Sequence, residues 1–118
     1  MLHIVSDFHI AINVEWLEAL NLEMPKTPDE FVNVLKKFVT KDPNGNGKND
    51  EIGFVSQMWS GISKLYEITG FTGVLTAIRY IQDGEVKWPL IDDEVKEATK
   101  WLHNLYVEGL LDKEQFTE

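Results

Sequence analysis

The sequence predicts an α/β or α+β chain in which a small sheet is covered by three or four helices. Three observations carry this reading: an amphipathic repeat at Phe31, Val34, Leu35 and Phe38 behind a helix-start signal, a second repeat over 95–106 closed by Gly109, and an Asp83-Gly84 turn between two apolar segments. With 118 residues and 43% hydrophobic content there is enough material for one core and little more, so residues 1–118 are read as a single domain.

Taken in order, Ile4, Val5, Phe8, Ile10 and Ile12 partly alternate, which suits one or two short strands over 2–12. Asn13 is placed to cap a short helix whose apolar face is Trp16, Leu17 and Leu20, and which Asn21 stops. Thr27-Pro28-Asp29-Glu30 combines a capping hydroxyl, a proline at the first helical position and a glutamate able to bond back to the cap amide, so a helix starts there. Lys36, Lys37 and Lys41 near its end suit the negative pole of the helix dipole. Ile52-Gly53-Phe54-Val55 reads as a short strand, and Met58 to Ile68 as a helix ended by Gly70. Leu75 to Ile81 and Glu85 to Trp88 flank Asp83-Gly84, a pair favoured where two positive φ values are needed, and so form a hairpin. The last long helix runs from about Asp92 to Glu108, with Val95, Ala98, Leu102, Leu105 and Tyr106 on one face. Asp112-Lys113-Glu114-Gln115 is a fresh capping box at the end of the sequence, so the expectation is a piece of a larger protein.

The balance of 20 acidic against 11 basic residues, a formal charge of −9, argues against a nucleic-acid partner, whose phosphates need a cationic surface. Cysteine is absent, which removes disulfides, thiolate metal sites and cysteine nucleophiles. No apolar run approaches the ~20 residues of a membrane span, and the first residues lack the pattern of a signal peptide.

Chemistry concentrates in Asp42-Pro43-Asn44-Gly45-Asn46-Gly47-Lys48-Asn49-Asp50-Glu51. Side-chain oxygens stand at alternate positions, Gly47 permits a sharp turn, and two carboxylates close the stretch. A hard cation that takes ~6–8 oxygen ligands suits such a loop. The expected calcium ligands are the side chains of Asp42, Asn44, Asn46 and Asp50, the backbone carbonyl of Lys48, and Glu51 as a bidentate group. The loop departs from the EF-hand, whose bidentate glutamate is the twelfth residue, because position twelve here is Gly53. The same residues also suit a plain Asn/Gly turn without metal. Trp59, beside Gln57, offers either a stacking platform for a sugar ring or ordinary core packing. Trp16, Trp88 and Trp101 read as core or half-exposed residues.

His3, His9 and His103 are scattered and no serine sits in a nucleophile elbow, so no enzyme is expected. Asp92-Asp93-Glu94 is explained by helix capping and the helix dipole before any glycosidase pair need be invoked.

Three stretches, in order, carry a family resemblance. Asn13-Val14-Glu15-Trp16-Leu17 with Pro25-Lys26-Thr27-Pro28-Asp29-Glu30, the loop Lys41 to Ile52, and Asp83-Gly84-Glu85-Val86 followed by Leu102-His103-Asn104-Leu105-Tyr106-Val107-Glu108-Gly109-Leu110-Leu111-Asp112 resemble the extracellular solute-binding proteins of bacterial ABC importers. The similarity is to the Gram-positive lipoproteins and the related alginate-binding proteins, and covers residues 10 to 116. It implies part of one lobe, the second, of a two-lobed periplasmic-binding-protein-like fold that closes on an oligosaccharide or related carbohydrate-like molecule. By the same resemblance the whole protein is lipid-anchored at the outer face of the membrane and delivers its solute to a membrane permease; a monomer is expected, although the sequence does not fix the oligomeric state. Calcium is then a structural staple, and Gln57 and Trp59 fall where relatives line the cleft. The alternative from another class is a stand-alone calcium-binding interaction or sensor module.

Overall fold

The computed structural model describes residues 10–56, 65, 80–88 and 93–114. Its first element is α1 (Val14–Ala19), started by Asn13, whose side-chain oxygen accepts from the Trp16 N–H at 3.2 Å. The helix ends as the Asn21 signal predicts: Asn21 takes φ 51°, and the Leu22 N–H returns to the Leu17 carbonyl at 2.8 Å. Asparagine tolerates that left-handed conformation better than most residues, and the paired bonds satisfy carbonyls that the helix end would leave bare.

Helix α2 (Pro28–Thr40) begins at Thr27, whose hydroxyl accepts from the Glu30 N–H at 3.2 Å. The Glu30 carboxylate bonds back one residue further than expected. With Thr27 extended at φ −128°, it is the Lys26 N–H that reaches Glu30, at 2.7 Å. All of Phe31, Val34, Leu35 and Phe38 are buried, yet they serve two separate clusters. Phe31 and Leu35 pack with Leu65, Leu105, Leu110 and Leu111. Val34 and Phe38 pack with Leu17, and Trp16 meets the Phe38 ring edge-on at 5.3 Å. Each pair is one i, i+4 row, so neighbouring rows on one helix reach different partners.

A hairpin follows, β1 (Tyr80–Gln82) against β2 (Glu85–Lys87), antiparallel with Ile81 opposite Val86. Asp83 and Gly84 take φ 52° and 78°, the two positive values that the turn demands. Helix α3 (Asp93–Val107) buries Val95, Ala98 and Leu105 and half-buries Leu102 and Trp101. Tyr106, expected on that face, is instead 39% exposed. One residue past Leu105 is a turn of about 100° around the axis, enough to leave the buried stripe. Gly109 (φ 73°) closes the helix, and the Leu110 N–H returns to the Leu105 carbonyl at 3.0 Å. Outside the core, Lys36 and Glu108 bridge α2 to the end of α3 at 2.7 Å, an exposed pair that contributes little, about 0–1 kcal/mol.

The expected strand at Ile52–Val55 is reduced to one parallel bridge between Phe54 and Leu111. The Phe54 N–H donates to the Leu110 carbonyl, and the Asp112 N–H to the Phe54 carbonyl, each at 2.9 Å. Pairing extends no further because its partner segment is short. It starts after the Gly109 turn and ends where the Glu114 N–H folds back to the Asp112 carboxylate at 3.0 Å. Residues 10–12 form no strand, the rest of the expected 2–12 strand lies outside the described residues, and so does the expected 58–68 helix apart from the buried, helical Leu65. Among the described residues, no helix is long and apolar enough to cross a membrane.

Gly53 sets the closest approach in this region. A Cβ there would stand 2.6 Å from the Leu110 carbonyl oxygen and 3.2 Å from Val39. Gly53→Ala is therefore expected to lower stability by about 1–3 kcal/mol, the usual cost of overpacking, read as an earlier urea midpoint. Gly84→Ala meets no atom within 4 Å, so its cost arises only from its positive φ.

Candidate metal centre

The loop after α2 is built from its own side chains. Asp42 takes φ 49° immediately after the helix cap, and its two carboxylate oxygens accept the N–H groups of Asn46 at 3.0 Å and Gly47 at 2.9 Å. The Asn44 side-chain oxygen accepts the same Asn46 N–H at 2.9 Å, so oxygens from positions 42 and 44 converge on one point. Asn46 is held at both ends of its amide: Oδ1 accepts from the Lys48 N–H at 2.7 Å, and Nδ2 donates to the Asp50 carboxylate at 3.1 Å. Gly45 and Gly47, at φ 69° and 76°, supply the left-handed steps that bring alternate side chains to the same side.

Glu51 is different from the rest. It is 8% exposed, both carboxylate oxygens are buried, and neither has a hydrogen-bond donor. A carboxylate taken out of water without a partner costs several kcal/mol, so a buried orphan of this kind calls for a counter-charge. Asn44, Asn46, Lys48 and Asp50 are exposed.

The expected donor set thus lies within one loop: side-chain oxygens of Asp42, Asn44, Asn46, Asp50 and Glu51, and the Lys48 carbonyl. These are hard oxygen donors, the type of ligand that calcium takes. Among the described residues no three His, Cys, Asp or Glu side chains gather at one point. Asn46 links Asp42 to Asp50 through its backbone N–H and its side-chain amide respectively, and a cation held by Asp50 would compete with that side-chain amide for the same oxygens. Gln57 and Trp59 lie outside the described residues.

Two apolar depressions, one beside Met24 and Phe31 and one beside Leu102 and Tyr106, are lined by no carboxylate and are separate from the loop. Polar chemistry among the described residues therefore centres on 42–51. Sequence reasoning missed two features. One is the burial of Glu51, three residues before Phe54, whose bridging partner Leu111 lies sixty residues from Glu51 along the chain. The Trp101 indole N–H is buried without an acceptor, which no local pattern signals.

No family model matches the chain. It is similar to the fructooligosaccharide ABC transporter substrate-binding protein FusA of Streptococcus pneumoniae, 37% identical over 118 residues, which is 98% of this chain and 22% of that protein. It is similar to lipoprotein LipO of Bacillus subtilis, 36% identical over 107 residues, covering 87% of this chain and 21% of LipO. Among solved structures, FusA in complex with kestose superposes with a TM-score of 0.74 at 38% identity, covering 88% of this chain and 22% of FusA. The alginate-binding protein AlgQ2 without calcium ion superposes at 0.69 with 32% identity, covering 89% of this chain and 21% of AlgQ2. One FusA structure is of an EF-hand mutant in complex with fructo-nystose. The chain spans about a fifth of the length of the curated relatives it matches.

Asp42→Ala removes the acceptor of the Gly47 N–H and one of the two acceptors of the Asn46 N–H. Amide exchange without added metal is expected to speed up more at Gly47 than at Asn46, with a stability loss of about 0.5–1.5 kcal/mol.

Proposed function

We propose that this chain, whose homologues are substrate-binding proteins of ABC transporters and not enzymes, is part of the solute-binding component of a bacterial importer for oligosaccharides. The observation that carries the reading is the similarity along nearly the whole chain to one segment of FusA. In the same reading the complete protein is a two-lobed, extracellular monomer with a lipid anchor. It closes on an oligosaccharide and passes it to a membrane permease. Gln57 and Trp59 belong to its cleft, with the indole face stacking on a sugar ring and the amide fixing hydroxyls.

The loop Asp42–Glu51 is proposed as a structural calcium site. Calcium would supply the positive charge that the buried Glu51 carboxylate lacks. Asp42, Asn44 and Asn46 present oxygens from the turn side, Asp50 and Glu51 from the exit side, and Lys48 through its carbonyl. Two residues beyond Glu51 the chain enters the close contact of Gly53 with Leu110, so fixing Glu51 fixes the approach of α2 to the end of α3. Two structural relatives, an EF-hand mutant of FusA and AlgQ2 without calcium ion, support the reading.

Two measurements test it. The melting temperature of the chain is expected to rise in millimolar calcium relative to excess chelator, and less in magnesium, with stabilisation of about 2.7 kcal/mol at a hundredfold excess over Kd. Glu51→Gln is expected to abolish that rise, and to leave the metal-free chain at least as stable because a buried charge is gone. Equal melting temperatures in calcium and chelator would remove the metal site and leave the transport reading intact. Trp59→Ala in the two-lobed protein is expected to weaken oligosaccharide binding about tenfold, the scale of one lost stacking contact. Unchanged affinity would take Trp59 out of the cleft.

A further inference from the structure

The loop contains two Asn-Gly pairs, Asn44-Gly45 and Asn46-Gly47, and the calcium reading leaves their shared chemistry unused. In such a pair the backbone nitrogen of the glycine can attack the asparagine side-chain carbonyl. The new bond joins the glycine N to Cγ, the Cγ–Nδ2 bond breaks, and ammonia leaves with the proton that the glycine N gives up. Water then opens the resulting succinimide at one of its two carbonyls, giving aspartate or isoaspartate, in which the main chain runs through the side chain. No oxidant, reductant or enzyme is required.

Both asparagines are exposed, and neither glycine has any atom from beyond its chain neighbours within 4 Å of where a Cβ would stand, so crowding at the glycine does not separate the two. Each asparagine Oδ1 also accepts a backbone N–H, from Asn46 at 2.9 Å or from Lys48 at 2.7 Å, so carbonyl polarisation does not separate them. The hydrogen bonds at the nucleophile and at the leaving group do. The Gly47 N–H donates to the Asp42 carboxylate at 2.9 Å, whose negative charge disfavours loss of the proton that frees the nitrogen to attack. The Gly45 N–H donates to a neutral carbonyl, that of Asp42, at 3.1 Å. The Asn46 Nδ2 is tied to both Asp50 oxygens, at 3.1 and 3.4 Å, so its amide is fixed at both ends and resists the rotation that attack requires. Asn44 is held through its oxygen.

We propose that Asn44-Gly45 is a site of spontaneous deamidation, while Asn46-Gly47, the same dipeptide two residues on, is shielded by the carboxylates of Asp42 and Asp50. Isoaspartate at position 44 adds a main-chain carbon between Asp42 and Asn46 and shifts the oxygens that converge there. On the calcium reading given above, it would turn the loop from a binding into a non-binding form with age.

The test ages the full chain in chelator at neutral pH and physiological temperature, digests it, and follows amide loss at each asparagine by mass spectrometry with isoaspartate-specific fragmentation. Because metal is excluded, the outcome does not depend on the calcium reading. Asn44 is expected to convert several times faster than Asn46 in the folded chain. The two are expected to convert at similar rates in guanidinium, where the shield is gone. Asp50→Ala is expected to narrow the gap by releasing the Asn46 amide. Equal rates in the folded chain, or the same ratio folded and denatured, would overturn the proposal.

Discussion

Two backbone hydrogen bonds, Phe54 N–H to the Leu110 carbonyl and Asp112 N–H to the Phe54 carbonyl, hold the exit of the loop against the segment that follows α3. Much of the remaining arrangement depends on them. They can form only because Gly53 has no side chain where a Cβ would meet the Leu110 oxygen. They bring Leu110 and Leu111 onto Phe31 and Leu35, and the Phe54 ring to within 6.5 Å of Phe31. The Gly109 turn is the necessary partner, since its left-handed step redirects the chain from α3 into the bridge.

Glu51 carries the cost of this arrangement. It stands two positions before this close contact and, between the exposed Asp50 and Ile52, its carboxylate is buried with no donor. Elsewhere in the loop, polar groups satisfy one another: Asp42 caps two amides, and Asn46 joins Asp42 to Asp50. The buried, unpaired Glu51 carboxylate is the one local conflict in a loop whose other polar groups are bonded, and it is the feature on which the proposed calcium site rests.

Helix α2 has a comparable double role on the apolar side. Its two i, i+4 rows serve different clusters, so α1 and α3 are held by one helix without having to share one core. That division explains how a short chain positions both ends of the loop. Its entrance is fixed by the end of α2 and its exit by the bridge to Leu111.

Local features were legible in the sequence because their causes are local. Asn13 and Thr27 cap because a short polar side chain reaches an amide three residues on, Asp83-Gly84 turns because both tolerate positive φ, and the Asp42–Glu51 donors alternate within one stretch. The sequence by itself determined these elements, the buried face of α2 and the chemistry of the loop. Tertiary structure decided what depends on distant partners: the shrinking of the Ile52–Val55 strand to one bridge, the exposure of Tyr106, the buried Trp101 N–H and the burial of Glu51. The physical reason is that desolvation and strand pairing are set by which surfaces meet across the fold, whereas caps and turns are set by bonds that a few neighbouring residues make among themselves.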